Sequence, residues 1–217
     1  MKLTRYILNN VQLHPDPEIN VGRRSDHSRD ELHELALGAA ADIVEAEGIH
    51  ALTARRIADA IGYSPGTLYN VFAGLDDIII HLNGRALDDL AGLMDKARRS
   101  RDPRTHVLRL LDTYLAFERD HPNRWSVLFE YSLAPSTTLP DWYLAKVNHA
   151  LSLVEDALSP LTSGAARKLA ARTLWASLHG ITALAKSGKL DVVTNQTGRH
   201  MARHMVVNYL AGLAHHA

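Results

Sequence analysis

Residues 62–66 read Gly-Tyr-Ser-Pro-Gly, which satisfies G-x-S-x-G, the turn that lifts a nucleophilic serine to the top of a sheet in α/β-hydrolases. Ser64 would then attack a carbonyl. A second cluster with chemical potential is His200 and His204, four apart on a helical stretch, a spacing at which two imidazoles can share a metal ion. Both readings fail on their surroundings. A nucleophile elbow needs a strand before the serine, and the preceding residues, "ARRIADAI", carry a helical repeat. At the histidine pair, Met201 stands where the zincin motif has its glutamate, and no third ligand is close in sequence, so no metal site is expected. The chain has no cysteine, which excludes disulfides, thiol nucleophiles and Cys-ligated zinc and fits a reducing compartment. With no phosphate loop, dinucleotide fingerprint or convincing acid–base pair, the expectation is a protein that is not an enzyme and carries no cofactor.

The elements around these residues are helical. Among 217 residues, 46% are hydrophobic and only 6% aromatic, a balance rich in Ala and Leu that favours helix packed on helix. In "MKLTRYILNN" the apolar run stops at Asn9 and Asn10, too soon for a signal core, and no window approaches 18 uncharged apolar residues. A cytoplasmic, membrane-free location is the expectation. Residues 1–25, with Pro15, Pro17, Arg23 and Arg24, read as an irregular arm. Ser28-Arg29-Asp30-Glu31 is a capping box opening a helix whose apolar stripe is Leu32, Leu35, Ala36, Ala39 and Ile43. Gly48 ends it. Thr53 caps a short second helix with Ile57, Ala58 and Ile61, and Gly62 takes the left-handed conformation that stops it. Ser64 caps a third helix, with Pro65 at its first position, running through Leu68, Tyr69 and Phe72. Six more helices follow, starting near Leu75, Pro103, Pro122, 141, 164 and 197, the first of them extending to about Ser100 and the third to Tyr131. No strand-period segment or internal repeat is found. The fold class is therefore all-α, about nine helices, with a DNA-binding unit over 26–73 and a regulatory and dimerisation unit over 74–217.

Ser64 is thereby read as a cap in a helix-turn-helix. Two helices that cross closely need a small residue at the crossing, here Ala58, a glycine-like backbone at the turn, here Gly62, and an apolar lock, here Ile57, Ile61, Leu68 and Val71. The run "GIHALTARRIADAIGYSPGTLYNVFAGLDDIII" resembles the TetR (tetracycline-repressor-like) transcriptional regulators over about residues 28–80. Farther on, "LWASLHGITAL", with Trp175, His179 and Gly180, resembles one branch of the family's regulatory domains. The resemblance implies a homodimer that binds a palindromic operator on double-stranded DNA until a small molecule, of unknown identity, releases it. It places Gly66 and Thr67 at the start of the helix entering the major groove, with Tyr69 and Thr53 on phosphates. Base edges give selectivity and phosphates give sequence-blind affinity, and Pro65-Gly66-Thr67 is a close-approaching face suited to the first. The candidate DNA-binding residues are Thr53, Arg55, Arg56, Tyr63, Ser64, Pro65, Gly66, Thr67, Tyr69 and Asn70. For Arg55 and Arg56 the alternatives are a phosphate or guanine contact and plain solvation.

Two features qualify that resemblance. Residues 1–72 hold seven Lys/Arg against ten Asp/Glu, so a basic footprint is confined to one face. Many relatives carry a lysine three residues after the phenylalanine, where this chain has Leu75; Arg23, Arg24 or Arg29 would have to replace that cation. An all-helical small-molecule-binding or adaptor protein without DNA binding is the alternative. In the second half, Ala166, Ala170, Thr173 and Ser177 form one stripe and Met201, Met205 and Tyr209 another, with Val206 and Leu210 alongside, compatible with the family's dimer interface through the last two helices and equally with an internal core. Aromatic residues gather between 114 and 175, and the expected ligand pocket comprises Phe117, Trp125, Phe129, Trp142, Trp175 and His179.

Overall fold

The structure, a computed structural model, describes residues 27–97, 99–135 and 137–215. The expected arm at 1–25 lies outside the described residues. Within them are nine α-helices and no strand: α1 Arg29–Glu47, α2 Ala54–Ile61, α3 Pro65–Leu68, α4 Leu75–Lys96, α5 Pro103–Asp120, α6 Pro122–Phe129, α7 Asp141–Leu158, α8 Gly164–Lys186 and α9 Gly198–His215. Single 3₁₀ turns stand at Ile49–Ala51 and Leu190–Val192. Among the described residues no helix is long and apolar enough to cross a membrane.

Local chemistry sets the helix starts. The Ser28 hydroxyl accepts from the Glu31 N–H (3.2 Å) while the Glu31 carboxylate accepts from the Ser28 N–H (2.7 Å), the reciprocal arrangement expected of a capping box. These hydrogen bonds hold the Glu31 carboxyl below the usual carboxylate range. Thr53 Oγ1 accepts from the Arg56 N–H at the head of α2, and Asp102 does the same for Thr105 at the head of α5. Prolines open α3, α5 and α6, where no backbone donor is missed.

Packing divides into two main cores. The first gathers Leu37, Val44, Ile57, Ala58, Leu68 and Phe72 from the first three helices and the following turn, with Ile78, Ile79 and Leu82 of α4 and Val127 of α6. The second gathers α4 through α9 around Trp125, Phe117, Leu158 and Leu174. Helix α4 belongs to both. Its first half completes the small core, and Ala86, Leu90 and Met94 enter the large one.

Several expectations shift at this level. The buried stripe of α1 is Leu32, Ala36, Leu37, Ala40 and Val44, while Leu35 is exposed. Apolar residues such as Leu35, Ala39 and Ile43 also lie beside that stripe, so tertiary contact, not periodicity alone, selects the inner face. Helix α3 is one turn long; beyond Leu68 the chain continues through i→i+3 bonds from Asn70 to Thr67 and from Val71 to Leu68, closed by Phe72 N–H to the Leu68 carbonyl. Helix α4 ends at Lys96, where Ala97 turns extended, and α6 ends at Phe129, the Tyr131 N–H still reaching the Ser126 carbonyl (3.1 Å).

Candidate nucleic-acid interface and internal cavity

The turn between α2 and α3 depends on Gly62, whose φ of 77° and ψ of 27° lie in the left-handed region. Its strain-free reversal lets the Tyr63 N–H close on the Ala58 carbonyl at 2.9 Å. Ala58 and Ile57 are fully buried at the crossing, as the small-residue requirement demands. The lock differs from the expected set: Leu68 and Phe72 are buried with Ile57, whereas Ile61 and Val71 are only half-buried beside them. With Leu68 and Phe72 pointing in, Gly66 and Tyr69 stand outward, Tyr69 at 59% exposure.

The polar groups on this face hold one another. Ser64 occupies the N-cap position of α3, but its hydroxyl bonds the Thr67 hydroxyl (2.9 Å) instead of a backbone N–H, and so presets the Thr67 side chain. Tyr63 is tied to His27 at the head of α1 by a 2.7 Å hydrogen bond from its hydroxyl to Nδ1 or the reverse. Thr53, Pro65 and Asn70 complete the exposed rim. Residues 60–75 contain no charged side chain, so phosphate contacts from this turn would come from hydroxyls and backbone N–H groups.

The two arginines of α2 part company. Arg56 makes a forked pair with Glu47 (2.9 and 2.5 Å) and a longer bond to the Ala51 carbonyl, which clamps the end of α1 to the start of α2. That pairing raises the Arg56 pKa and lowers that of Glu47. Arg55 lies 3.8 Å from Asp59 in an exposed i,i+4 pair. Other acids of α1 engage the second half of the chain: Glu34 pairs with Arg85 (2.5 Å) and Glu45 with His121 (3.1 Å). Much of the net acidity of the first 72 residues is thus spent away from α3. Leu75, in the place of the family's lysine, packs on the small core.

Asp76, in the first turn of α4, ties this unit to the α6–α7 loop. Its carboxylate accepts from the Tyr131 hydroxyl, the Ala134 N–H and the Thr137 hydroxyl, each at 3.1 Å. Led by the Ala134 bond, these donors hold its pKa below the usual range. Beside it, Trp142 of α7 stacks on His81 of α4 (4.8 Å between centroids), and His81 meets His33 of α1 edge-on (4.7 Å), which in turn stacks on Phe72 (4.6 Å).

Inside the second half lies a cavity of about 310 Å³. Leu87, Leu90 and Met94 of α4, Leu110, Leu111 and Tyr114 of α5, Leu128 and Phe129 of α6, Tyr143, Val147 and Leu151 of α7, Leu174, Trp175, Leu178 and His179 of α8, and Val206 of α9 form most of its wall. Of the six residues expected there, Phe129, Trp175 and His179 line it. Phe117 and Trp125 are instead fully buried in the core behind, and Trp142 lies on α4 over Gly84. Tyr114, Tyr143 and the aliphatic wall were absent from that expected set; Tyr114 and Tyr143 did stand in the aromatic run of the sequence, but aliphatic residues carry no comparable mark.

Polarity in the cavity is sparse. Tyr114 Oη and His179 Nδ1 are 3.3 Å apart, and His179 stacks on Trp175 at 5.8 Å with rings 13° from parallel. Burial lowers the His179 pKa, with Glu130 opposing, and burial pushes the Tyr114 phenol well above its ordinary value. Outside this wall, the Lys186 ammonium stands 4.7 Å over the Trp125 ring, held by Ser126, Glu130 and the Pro122 carbonyl.

The late helices pack on each other, with Ala202, Val206 and Leu210 of α9 buried inside the chain. Of the expected stripes, Ala170 is buried and Met205 and Tyr209 pack on the internal core. The outward side of the pair instead carries Leu169 (67% exposed), Ala176, Leu184, His200, His204 and Ala211. His204 contacts Asn208, and no group of three or more His, Cys, Asp or Glu able to hold a metal occurs among the described residues.

Comparison with known proteins agrees with this geometry. The family model "Bacterial regulatory proteins, tetR family" matches residues 36–82, and "Tetracyclin repressor-like, C-terminal domain" matches residues 107–209. The chain is 25% identical over 194 residues to an uncharacterised HTH-type transcriptional regulator of Mycobacterium tuberculosis, covering 89% of this chain and 85% of that protein. Among solved structures, a protein of unknown function from Rhodococcus superposes with a TM-score of 0.68 at 18% identity, over 88% of this chain and 99% of that one. A tetR-family regulator from Streptomyces coelicolor gives 0.63 at 21%, over 88% and 85%. The regulator FadR of Bacillus subtilis, in complex with stearoyl-CoA, gives 0.62 at 14%, over 83% and 98%. At these identities the structures speak to fold alone. The family assignment comes from the two consecutive matches, which bracket a left-handed glycine turn, an outward α3 and a helical body: the chain belongs to the TetR family, a DNA-binding transcriptional regulator and not an enzyme.

Proposed function

We propose that the chain is a cytoplasmic, ligand-responsive repressor that binds a palindromic operator as a homodimer and leaves it when a small molecule fills the internal cavity. One observation carries this reading. Helix α4 supplies Ile78, Ile79 and Leu82 to the core that backs α3, and Leu87, Leu90 and Met94 to the cavity wall. A ligand that moves the second half of α4 therefore moves the platform of the reading face, since packed cores switch between discrete arrangements and do not deform smoothly. The stearoyl-CoA carried by FadR supports the capacity of this fold to hold a ligand. The outward side of α8 and α9, with Leu169, Ala176 and Leu184, is the surface proposed to meet its copy in the partner subunit.

In operator binding, Gly66 and Thr67 approach base edges, Thr53 and Tyr69 hold phosphates, and Arg55 adds a cation; Arg56 acts through the Glu47 clamp that fixes α2. Selection of bound sequences from a random duplex pool tests the reading. Two inverted half-sites, one helical turn or a small multiple apart, are expected; enrichment of a single unpaired site, or no enrichment at low salt, overturns it.

A further inference from the structure

From the cavity wall we infer that the effector is an uncharged, mostly hydrocarbon molecule bearing one neutral hydrogen-bonding oxygen, such as a ketone or ester, and not an anion, a cation or an intact acyl-CoA. This rests on the ligand-responsive reading above. Among the described residues no Lys, Arg, Asp or Glu lines the cavity. A carboxylate drawn into it would lose its water without gaining an opposite charge, which is prohibitive for a buried ion. The carboxylates felt by the polar end, Glu130 at His179 and both Glu118 and Glu130 at Tyr114, disfavour an anion further. The nearby cation, Lys186, is engaged by Glu130, Ser126 and the Pro122 carbonyl and is not part of the wall. A cationic ligand meets the same desolvation loss, because no acidic side chain of the described residues lines the space.

The polar end supplies what a neutral oxygen needs. Tyr114 Oη and His179 Nδ1 are 3.3 Å apart, and the neutral tautomer that accepts at Nδ1 carries its proton on Nε2, which makes no hydrogen bond to the described residues. Tyr143 lines the same space, and its hydroxyl likewise has no hydrogen-bond partner among them. These are two donors on residues of the cavity wall, both free to meet an acceptor. The volume argues for the same class: about 310 Å³ is at the small end of ligand pockets, which run from roughly 300 to 1,000 Å³, so a nucleotide-bearing coenzyme does not fit inside.

The test uses the full chain and four ten-carbon probes: decan-2-one, decanoate, decyltrimethylammonium and decanoyl-CoA. Binding is followed by calorimetry at pH 7.5, in parallel with release of selected operator DNA. Decan-2-one is expected to bind at least about tenfold more tightly than the charged probes, and Tyr143→Phe and His179→Gln each to weaken it about three- to tenfold, the loss of one hydrogen bond. Both variants keep their volume, and an unchanged melting temperature certifies their folding. Tighter binding of any charged probe, no binding of the ketone, or affinity unchanged from the parent in both variants overturns the inference. Release of operator by a charged probe would do so while leaving the ligand-responsive reading intact. Ketone binding without operator release would do the reverse.

Discussion

Gly84→Ala and Gly92→Ala form a matched pair in which helix propensity cancels and packing remains. Both glycines are interior to α4, and alanine at either gains about 0.8–1 kcal/mol from backbone preference. At Gly92 a Cβ meets nothing within 4 Å, so that gain is expressed as added stability. At Gly84 the same carbon would lie 2.7 Å from Trp142 Cζ3 and 3.3 Å from Cη2, about 0.7 Å inside ordinary contact at the nearer atom. The indole is held by its stack on His81 and by the edge of Tyr143, so moving it aside forfeits aromatic contacts worth roughly 0.5–1.5 kcal/mol plus part of its apolar burial. Leaving it in place costs about 1–3 kcal/mol of overpacking. Gly84→Ala should therefore be about 1 kcal/mol less stable than the parent and Gly92→Ala up to about 1 kcal/mol more stable, a separation near 2 kcal/mol. Urea unfolding followed by circular dichroism measures it without relying on Trp142 itself. Equal shifts of the same sign would show that Trp142 does not rest on Gly84, and the described seam between α4 and α7 would be wrong.

Gly62→Ala places a side chain at φ 77° with open space around it, so its cost of about 1–2 kcal/mol is backbone strain alone, read as a lowered urea midpoint; an unchanged midpoint would remove the left-handed turn. Tyr69→Ala should weaken operator binding about three- to tenfold in a fluorescence anisotropy titration while leaving the melting temperature unchanged, because the ring is largely exposed; a fall in stability instead would make it a packing residue. Asp76→Asn should cost about 1 kcal/mol at pH 7, a value held down by the partial exposure of the carboxylate. Since folding lowers the Asp76 pKa, its contribution is present above the unfolded value near 4 and is lost as pH falls through the folded one, so the variant should show a shallower decline between pH 5 and pH 3. Parallel acid limbs for the two proteins would refute the tie between α4 and the α6–α7 loop.

What could be read from residues alone follows the range of the interaction. The Ser28–Glu31 box, the Thr53 cap, the prolines opening α3, α5 and α6 and the left-handed Gly62 act within four residues, and each stands where its sequence signal put it. The turn chemistry of Ser64 did not transfer as simply, because two hydroxyls three apart chose each other over the backbone. Interactions that join distant segments left little mark. Arg56 finds Glu47 across a turn, nine residues back, and Asp76 collects donors from residues 131–137. The cavity was only partly legible for the same reason: Trp125 and Phe129 share α6, yet one fills the core and the other faces open space, a choice made by the side chains that α5 and α8 bring against them. Apolar content betrays that a wall exists but not which side of it is empty.

Amide hydrogen exchange of the full chain, with and without its selected operator, tests the central claim most directly: that the turn at Gly62 presents α3 to DNA while the helical body stays behind. Slowed exchange confined to residues 53–70, with α8 and α9 unchanged, is the predicted result. Protection on another surface with residues 63–70 untouched would contradict it.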